Sequence, residues 1–243
     1  MISTPGIVLH TTPYGDTSVI VKVFTRLLGV QSYIIKGVRG PRAKVKQNLL
    51  QPFSCLDMVV YDNTKAELNY IKELSPRHPS ELSSSHSPSL PLTSSHSPIE
   101  NALRFFMTEV LYKSLQEAEP MPALFDYAEQ AAAVADPLAA ANLPISFLLT
   151  VSRHLGIEPM DNYCPREPLF DIQEGRYVSA PTETTLSPRL SSLLHDYLTS
   201  VTTPQSPLSD RRLLIDSLLA YYQLHITGFR HFTSHEILHT ILK

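Results

Sequence analysis

A stretch rich in serine, proline and histidine divides this 243-residue chain at residues 79–98. The pentapeptide Ser-Ser-His-Ser-Pro occurs in it twice, and prolines stand at positions 79, 88, 91 and 98. Proline fixes φ and lacks a backbone N–H, so neither a helix nor a central strand can run through this stretch. The sequence therefore predicts two folded parts, residues 1–78 and 99–243, joined by a linker or mobile loop at 79–98.

Short runs rich in Val, Ile, Thr, Tyr and Phe fill the first part and are separated by turn residues. They are Ile7–His10, Thr17–Thr25, Val30–Val38, Leu50–Tyr61 and Glu67–Leu74. In the last run, simple alternation puts Leu68, Tyr70, Lys72 and Leu74 on one side of a strand. Five short strands are too few for an immunoglobulin-type sandwich, but they suffice for a small closed barrel of the OB or SH3 type.

After residue 98 the apolar residues recur at helical spacing. The pattern predicts helices at 99–118, 123–134, 143–155, 187–198, 210–225 and 234–242, with a turn-rich insert at 161–180. The predicted fold class is α+β and multidomain: a five-stranded barrel followed by an all-helical C-terminal domain.

Charge is divided between the two parts. Residues 1–78 contain ten Lys and Arg against five Asp and Glu, whereas residues 79–243 contain ten against eighteen. Five cations with no acidic residue among them follow the third strand, namely Lys36, Arg39, Arg42, Lys44 and Lys46. Phosphate groups bind such clusters by releasing condensed counterions, so we expect this loop to contact DNA, with Lys22 and Arg26 extending the surface. The alternative is a solvated loop without a ligand.

Aromatic residues on or beside the predicted strands are candidates for stacking on bases. They are Tyr14, Tyr33, Phe53 and Tyr70. The competing interpretation places each of these rings in the core of the barrel.

Cysteine usage and the N-terminus favour a cytoplasmic protein. Cys55 and Cys164 are too few for a disulfide framework or a four-thiolate zinc module, which indicates a reducing compartment. No signal-peptide pattern and no run of about 18 apolar residues occurs, so no membrane association is expected.

A second interpretation comes from His235-Glu236-Ile237-Leu238-His239, which matches the H-E-x-x-H pattern of zinc metallopeptidases, with His231 one turn earlier. Only four residues follow His239, which leaves no place for the usual downstream third ligand. Phosphate-binding loops and the G-x-S-x-G nucleophile motif are both missing from the sequence. A protein-interaction module without DNA binding is a third possibility.

Four segments near the start resemble, in order, the N-terminal domain of the RecO family of bacterial recombination mediators. They are G-I-V-L-H-T-T-P-Y-G-D-T-S, V-F-T-R-L-L-G, I-I-K-G-V-R-G-P-R and L-L-Q-P-F-S-C-L-D. Later, D-N-Y-C-P-R-E-P-L-F-D-I-Q-E-G-R-Y-V and R-R-L-L-I-D-S-L-L-A-Y-Y-Q-L-H look like the helical domain of the same family.

The resemblance implies an OB-fold joined to a helical domain, without catalysis or cofactors. It implies binding to single- and double-stranded DNA, annealing of single strands, partnership with RecR, and assistance to RecA on DNA coated with single-strand-binding protein. It also implies a bacterial protein that joins the nucleoid during repair. The acidic C-terminal tail of single-strand-binding protein would bind the helical half, where Arg104, Lys113 and Arg153 are candidate contacts.

The sequence departs from the family at the insert. Many members carry a four-cysteine zinc module in the region that corresponds to 161–180, where this chain has only Cys164. One thiolate cannot complete a tetrahedral zinc shell. We therefore predict no metal there and expect packing of Tyr163, Phe170 and Tyr177 to hold the insert.

Overall fold

The computed structural model describes residues 1–38, 47–61, 68–77, 97–115, 119–132, 137–199 and 204–241. The chain forms two compact units that are interleaved in sequence. The first unit combines Met1–Ser97 with Met107–Ala133, and the second combines Pro98–Phe106 with Val134–Lys243. The domain boundaries that the sequence predicts, at residues 78 and 99, remain a prediction. Within the described residues, no helix is long and apolar enough to cross a membrane.

A closed five-stranded barrel forms the start of the first unit, which confirms the predicted fold class. Its strands are β1 (Ile2–Tyr14), β2 (Ser18–Thr25), β3 (Gly29–Ile35), β4 (Cys55–Val60) and β5 (Asn69–Pro76). The order around the barrel is β1-β2-β3-β5-β4, with β3 and β5 parallel and every other pair antiparallel. Alternate residues of β2 fill the interior, where Val19, Val21 and Val23 are buried.

Strand β1 is much longer than the predicted Ile7–His10 because it pairs with two neighbours. Its first half pairs with β4, from Ile2 opposite Val60 to Ile7 opposite Cys55, and its second half pairs with β2 as far as Tyr14. Gly6 lies where the two ladders overlap. A Cβ there would stand 2.6 Å from Val23 Cγ1, so the close strand approach requires glycine.

The simple alternation predicted for β5 is wrong, because the ladder between β4 and β5 contains a bulge. Val59 lies opposite Glu73 and Val60 lies opposite Ile71, so Lys72 is the extra residue. As a result Ile71 and Leu74 both pack against the core, and Lys72 and Glu73 are both exposed.

The predicted fourth run, Leu50–Tyr61, also divides. A 3-10 turn covers Gln47–Leu50, and Phe53 adopts a left-handed backbone conformation with φ +61° before β4 begins at Cys55. Leu50 and Phe53 are nevertheless buried, and the segment is tied to β1 because the Phe53 backbone N–H donates to the Val8 carbonyl at 2.8 Å.

Within the described residues six helices follow, as predicted, and their ends differ from the predicted ones by a few residues. They are α1 (Pro98–Ser114), α2 (Pro122–Ala131), α3 (Pro137–His154), α4 (Pro188–Thr199), α5 (Leu208–His225) and α6 (Ser234–Ile241). Helix α3 begins earlier than expected, since it continues through Pro144. The end of α1 and all of α2 belong to the compact unit of the barrel.

Two arginines of the barrel bind carboxylates of α2. Arg77, directly after β5, donates to Glu129 at 2.5 Å and also to Asp57 at 3.0 Å. Arg26 makes a bidentate pair with Asp126 at 2.8 and 2.9 Å. The two pairs differ in burial, since the Glu129 side chain is only 4% exposed whereas Asp126 is 41% exposed.

The irregular insert contains a short hairpin, formed by β6 (Leu169–Asp171) and β7 (Arg176–Val178). Tyr177 packs edge-on against Phe170, with ring centroids 5.1 Å apart, and against Tyr163 at 5.2 Å. Phe170 and Tyr177 are completely buried, which confirms that these three rings hold the insert. Burial strongly raises the pKa of the Tyr177 hydroxyl, which donates to the backbone carbonyl of Ser191.

A buried carboxylate organises the same insert. Asp171 accepts hydrogen bonds from the hydroxyls of Thr182 and Thr184 and from the backbone N–H groups of Gln173 and Glu174, at 2.5 to 3.0 Å. Burial alone would raise the pKa of Asp171, but these four donors outweigh it, so the pKa is lowered.

We predict that Asp171→Asn lowers the free energy of unfolding by about 2 kcal/mol at neutral pH, since the charged acceptor is removed. A lowered folded-state pKa stabilises the fold above the unfolded-state pKa, roughly 3.9, and this contribution disappears as pH falls through the lower folded-state value. Wild type should therefore lose stability on acidification more steeply than the variant. Thermal unfolding between neutral and acid pH measures this, with Glu174→Gln, an exposed carboxylate of the same hairpin, as control.

We also predict that Arg77→Met lowers the free energy of unfolding by about 3 kcal/mol, because it leaves the Glu129 carboxylate buried without its cation. Arg26→Met is the matched control, since it removes the same kind of pair at a half-exposed position and should have a much smaller effect. Urea unfolding of the full chain compares the two. Equal destabilisation would show that burial of the carboxylate is not what makes the Arg77 pair important.

Candidate nucleic-acid interface

OB barrels bind oligonucleotides on the face of their second and third strands, and in this barrel the start of β5 pairs with β3 and so adjoins that face. The strand registers place Ile20 opposite Ile34, and Ile34 opposite Tyr70, in one continuous row across this face. Tyr61 extends the row, because its backbone N–H donates to the carbonyl of Tyr70 at 3.2 Å.

Lys36 lies beside this row, next to Tyr70. It follows β3 directly and is exposed, and its ammonium lies over the ring of Tyr70, 5.5 Å from the centroid. Within the described residues, no carboxylate lies at ion-pair distance from Lys36. Its charge is therefore available to an anion from solution. The other four predicted loop cations, Arg39, Arg42, Lys44 and Lys46, lie outside the described residues.

Lys22 occupies a different part of the outer face, on β2. Its ammonium lies 5.4 Å from the centroid of the Tyr112 ring, which belongs to the end of α1, and His10 of β1 contacts the same ring at 5.1 Å. Lys22 is therefore partly covered, and its charge lies beside an aromatic ring instead of a carboxylate.

Arg26, the other predicted extension of the DNA surface, has a structural partner, because the bidentate pair with Asp126 neutralises its charge. The side-chain hydrogen bond from Arg26 lowers the pKa of Asp126.

The four aromatic candidates separate into two classes. Tyr33 and Phe53 are buried, which confirms the core interpretation for these two rings and removes them as candidates for stacking on bases. Tyr14 and Tyr70 are half exposed, at the end of β1 and the start of β5. Burial raises the pKa of Tyr33 to about 12.

Tyr61 is an exposed ring of this candidate surface that sequence reasoning missed. It ends the fourth apolar run, next to the turn signal Asp62-Asn63, and looks like one more strand residue. The signal that identifies it is pairing: Tyr61 and Tyr70 border the same β4–β5 connection and lie opposite each other.

The cations proposed for a partner groove have different surroundings. Arg153 pairs with Glu158, and its pKa is raised mainly by that hydrogen bond. Lys113 pairs with Glu109 one turn earlier in α1, and it belongs to the compact unit of the barrel. Arg104 is half-buried on the part of α1 that belongs to the second compact unit, Pro98–Phe106 with Val134–Lys243, which we call the helical unit.

The H-E-x-x-H motif lies on α6. The rings of His235 and His239 contact each other at 5.7 Å, and His239 Nε2 lies 3.6 Å from Asp216 of α5. Burial lowers the pKa of His239, although Asp216 opposes the change. Glu236 is exposed. In the part of the chain that the structure describes, no three His, Cys, Asp or Glu side chains are grouped so as to hold a metal ion.

An OB-like barrel with exposed cations and aromatic rings on its outer face, followed within the described residues by six helices, defines the class of OB-fold proteins with a helical extension. Two family models match the chain. "Recombination protein O N terminal" covers residues 1–79, and "Recombination protein O C terminal" covers residues 96–234. The H-E-x-x-H motif lies just beyond the second match.

Relatives extend along the whole chain. A protein named "DNA repair protein RecO" from Christiangramia forsetii is 26% identical, over 99% of both chains. Another of the same name from Phocaeicola vulgatus is 29% identical, over 93% of this chain and 92% of its own length. A third relative of the same name, from Flavobacterium johnsoniae, is 27% identical over 99% of this chain and 98% of its own length. The chain belongs to the RecO family, a family of DNA repair proteins.

Proposed function

We propose that this protein is a non-catalytic mediator of recombinational repair, in which the barrel binds DNA through its phosphates and the helical unit binds protein partners. The observation that carries the proposal is Lys36, an exposed cation beside an exposed ring on the outer face of the barrel. Family membership and the charge difference between the two parts of the sequence support it.

The chemistry of this surface suits a ligand that is held and released. Cations that contact phosphates give an affinity that depends on salt and hardly on sequence. Such a surface can bring two complementary strands together, because it binds the phosphate backbone and leaves the base edges available for pairing. No covalent step is needed for annealing, or for passing a coated strand to RecA together with RecR.

We predict that changing Lys36, Arg39, Arg42, Lys44 and Lys46 to Ala weakens binding of single-stranded DNA and flattens its salt dependence. The slope of log K against log salt should fall by about 0.7 for each phosphate that the variant no longer neutralises. Fluorescence anisotropy over a series of salt concentrations measures both quantities. Arg166→Ala with Arg176→Ala, which removes two exposed cations of the other compact unit, is the control. An unchanged slope in the five-residue variant would place the DNA surface elsewhere.

Partner binding is assigned to the helical unit. Exposed apolar side chains lie on it, among them Phe105 of α1 and Leu213 and Leu224 of α5. Arg104 and the exposed Phe105 lie in the same turn of α1, and a surface that offers both a cation and apolar groups suits a peptide that ends in acidic and hydrophobic residues.

We predict that Arg104→Glu weakens binding of a peptide with the acidic tail of single-strand-binding protein, because it replaces attraction by repulsion. Anisotropy of the labelled peptide with the full chain tests this. The five-residue barrel variant should bind the peptide like wild type. If the barrel variant fails to bind the peptide and Arg104→Glu still binds it, the assignment to the helical unit is wrong.

A further inference from the structure

Two exposed tyrosines lie side by side on the barrel, and phosphate binding does not use them. Tyr61 is 47% exposed and Tyr70 is 49% exposed. They face each other across the antiparallel pair of β4 and β5, one position beyond Val60 and Ile71. Residues directly opposite each other project from the same face of a sheet, so the two rings share one surface.

The barrel does not need these rings for its core. On the same strand, Ile71 and Leu74 supply the apolar contacts to the interior, and the bulge at Lys72 turns both of them inward. Leaving two large aromatic side chains half in water forgoes the stabilisation that their burial would give. Exposed aromatic rings beside a cation are the groups on which proteins that bind single strands stack successive bases.

Lys36 adds a charge to the same place. Its ammonium lies over Tyr70 within the range of a cation–π contact, at 5.5 Å from the ring centroid. A nucleotide carries a flat base and an anionic phosphate a short distance apart, and this surface offers a flat ring and a cation that are also close together. Binding of the base to the ring leaves the ammonium to the adjoining phosphate.

We infer that Tyr61, Tyr70 and Lys36 form a stacking site for unpaired bases, which makes the barrel favour single-stranded over duplex DNA. This inference rests on the proposed function, since it assumes that the barrel binds DNA. Bases inside a duplex are stacked on each other, so they do not reach the rings. Phosphates are accessible in both forms, so the cations alone cannot provide this preference.

The test compares three DNA ligands of equal length with the full chain: an oligo(dT), the same phosphodiester backbone with abasic residues in place of the bases, and a duplex. Tyr70→Leu should weaken oligo(dT) binding about tenfold, the range measured for removal of one base–aromatic stack. Tyr61→Leu should also weaken it. Neither change should affect the abasic strand or the duplex, and neither should alter the salt slope. Lys36→Met should reduce the slope for all three.

Tyr70→Phe keeps the ring and should bind like wild type. Phe105→Leu, which removes an equally exposed ring (47%) from the other compact unit, should leave oligo(dT) binding unchanged. If wild type binds oligo(dT) and both Tyr→Leu variants bind it equally well, the stacking site is refuted while the proposed function stands. If wild type binds none of the three ligands, both are refuted.

Discussion

Closure of the barrel depends on a very short ladder. Strands β3 and β5 pair in parallel through only two residue pairs, Tyr33 with Asn69 and Ile34 with Tyr70, whereas β1 and β2 pair along eight. Without this ladder both strands would be open edges. Asn69 reinforces it by a side-chain hydrogen bond to Gln31. The phenol of Tyr33 has no hydrogen-bond partner within the described residues, so closure buries a polar atom at a cost.

The same ladder sets the chemistry of the outer surface. It brings Tyr70 next to the end of β3, where the chain continues into Lys36, so a ring and a cation from distant positions meet. Closure turns Tyr33 inward and Tyr70 outward. One structural constraint therefore decides which tyrosine stabilises the barrel and which remains available to a ligand.

The sequence predicts the parts of this protein that depend on local patterns. Runs of β-branched and aromatic residues between turn residues identify the five strands, helical spacing identifies the six helices of the described residues, and three aromatic residues identify how the insert is held. The failures come from long-range register. Nothing local shows that Tyr33 is buried while Tyr70 is exposed, that Lys72 forms a bulge, or that β1 pairs on both sides. The pairs of Arg26 and Arg77 with α2 span 100 and 52 residues, which no periodicity reveals.

The interleaving of the two compact units in sequence limits where the barrel could be exchanged between relatives. The Ser/Pro-rich stretch looks like a natural joint at which relatives could exchange a barrel, yet α2 lies beyond it and belongs with the barrel. A chimera joined there would set Arg77 of one lineage against the second helix of another. Such a chimera would keep both the Arg77 and the Arg26 pairs only if the barrel and α2 were exchanged together, although 100 residues separate Arg26 from Asp126.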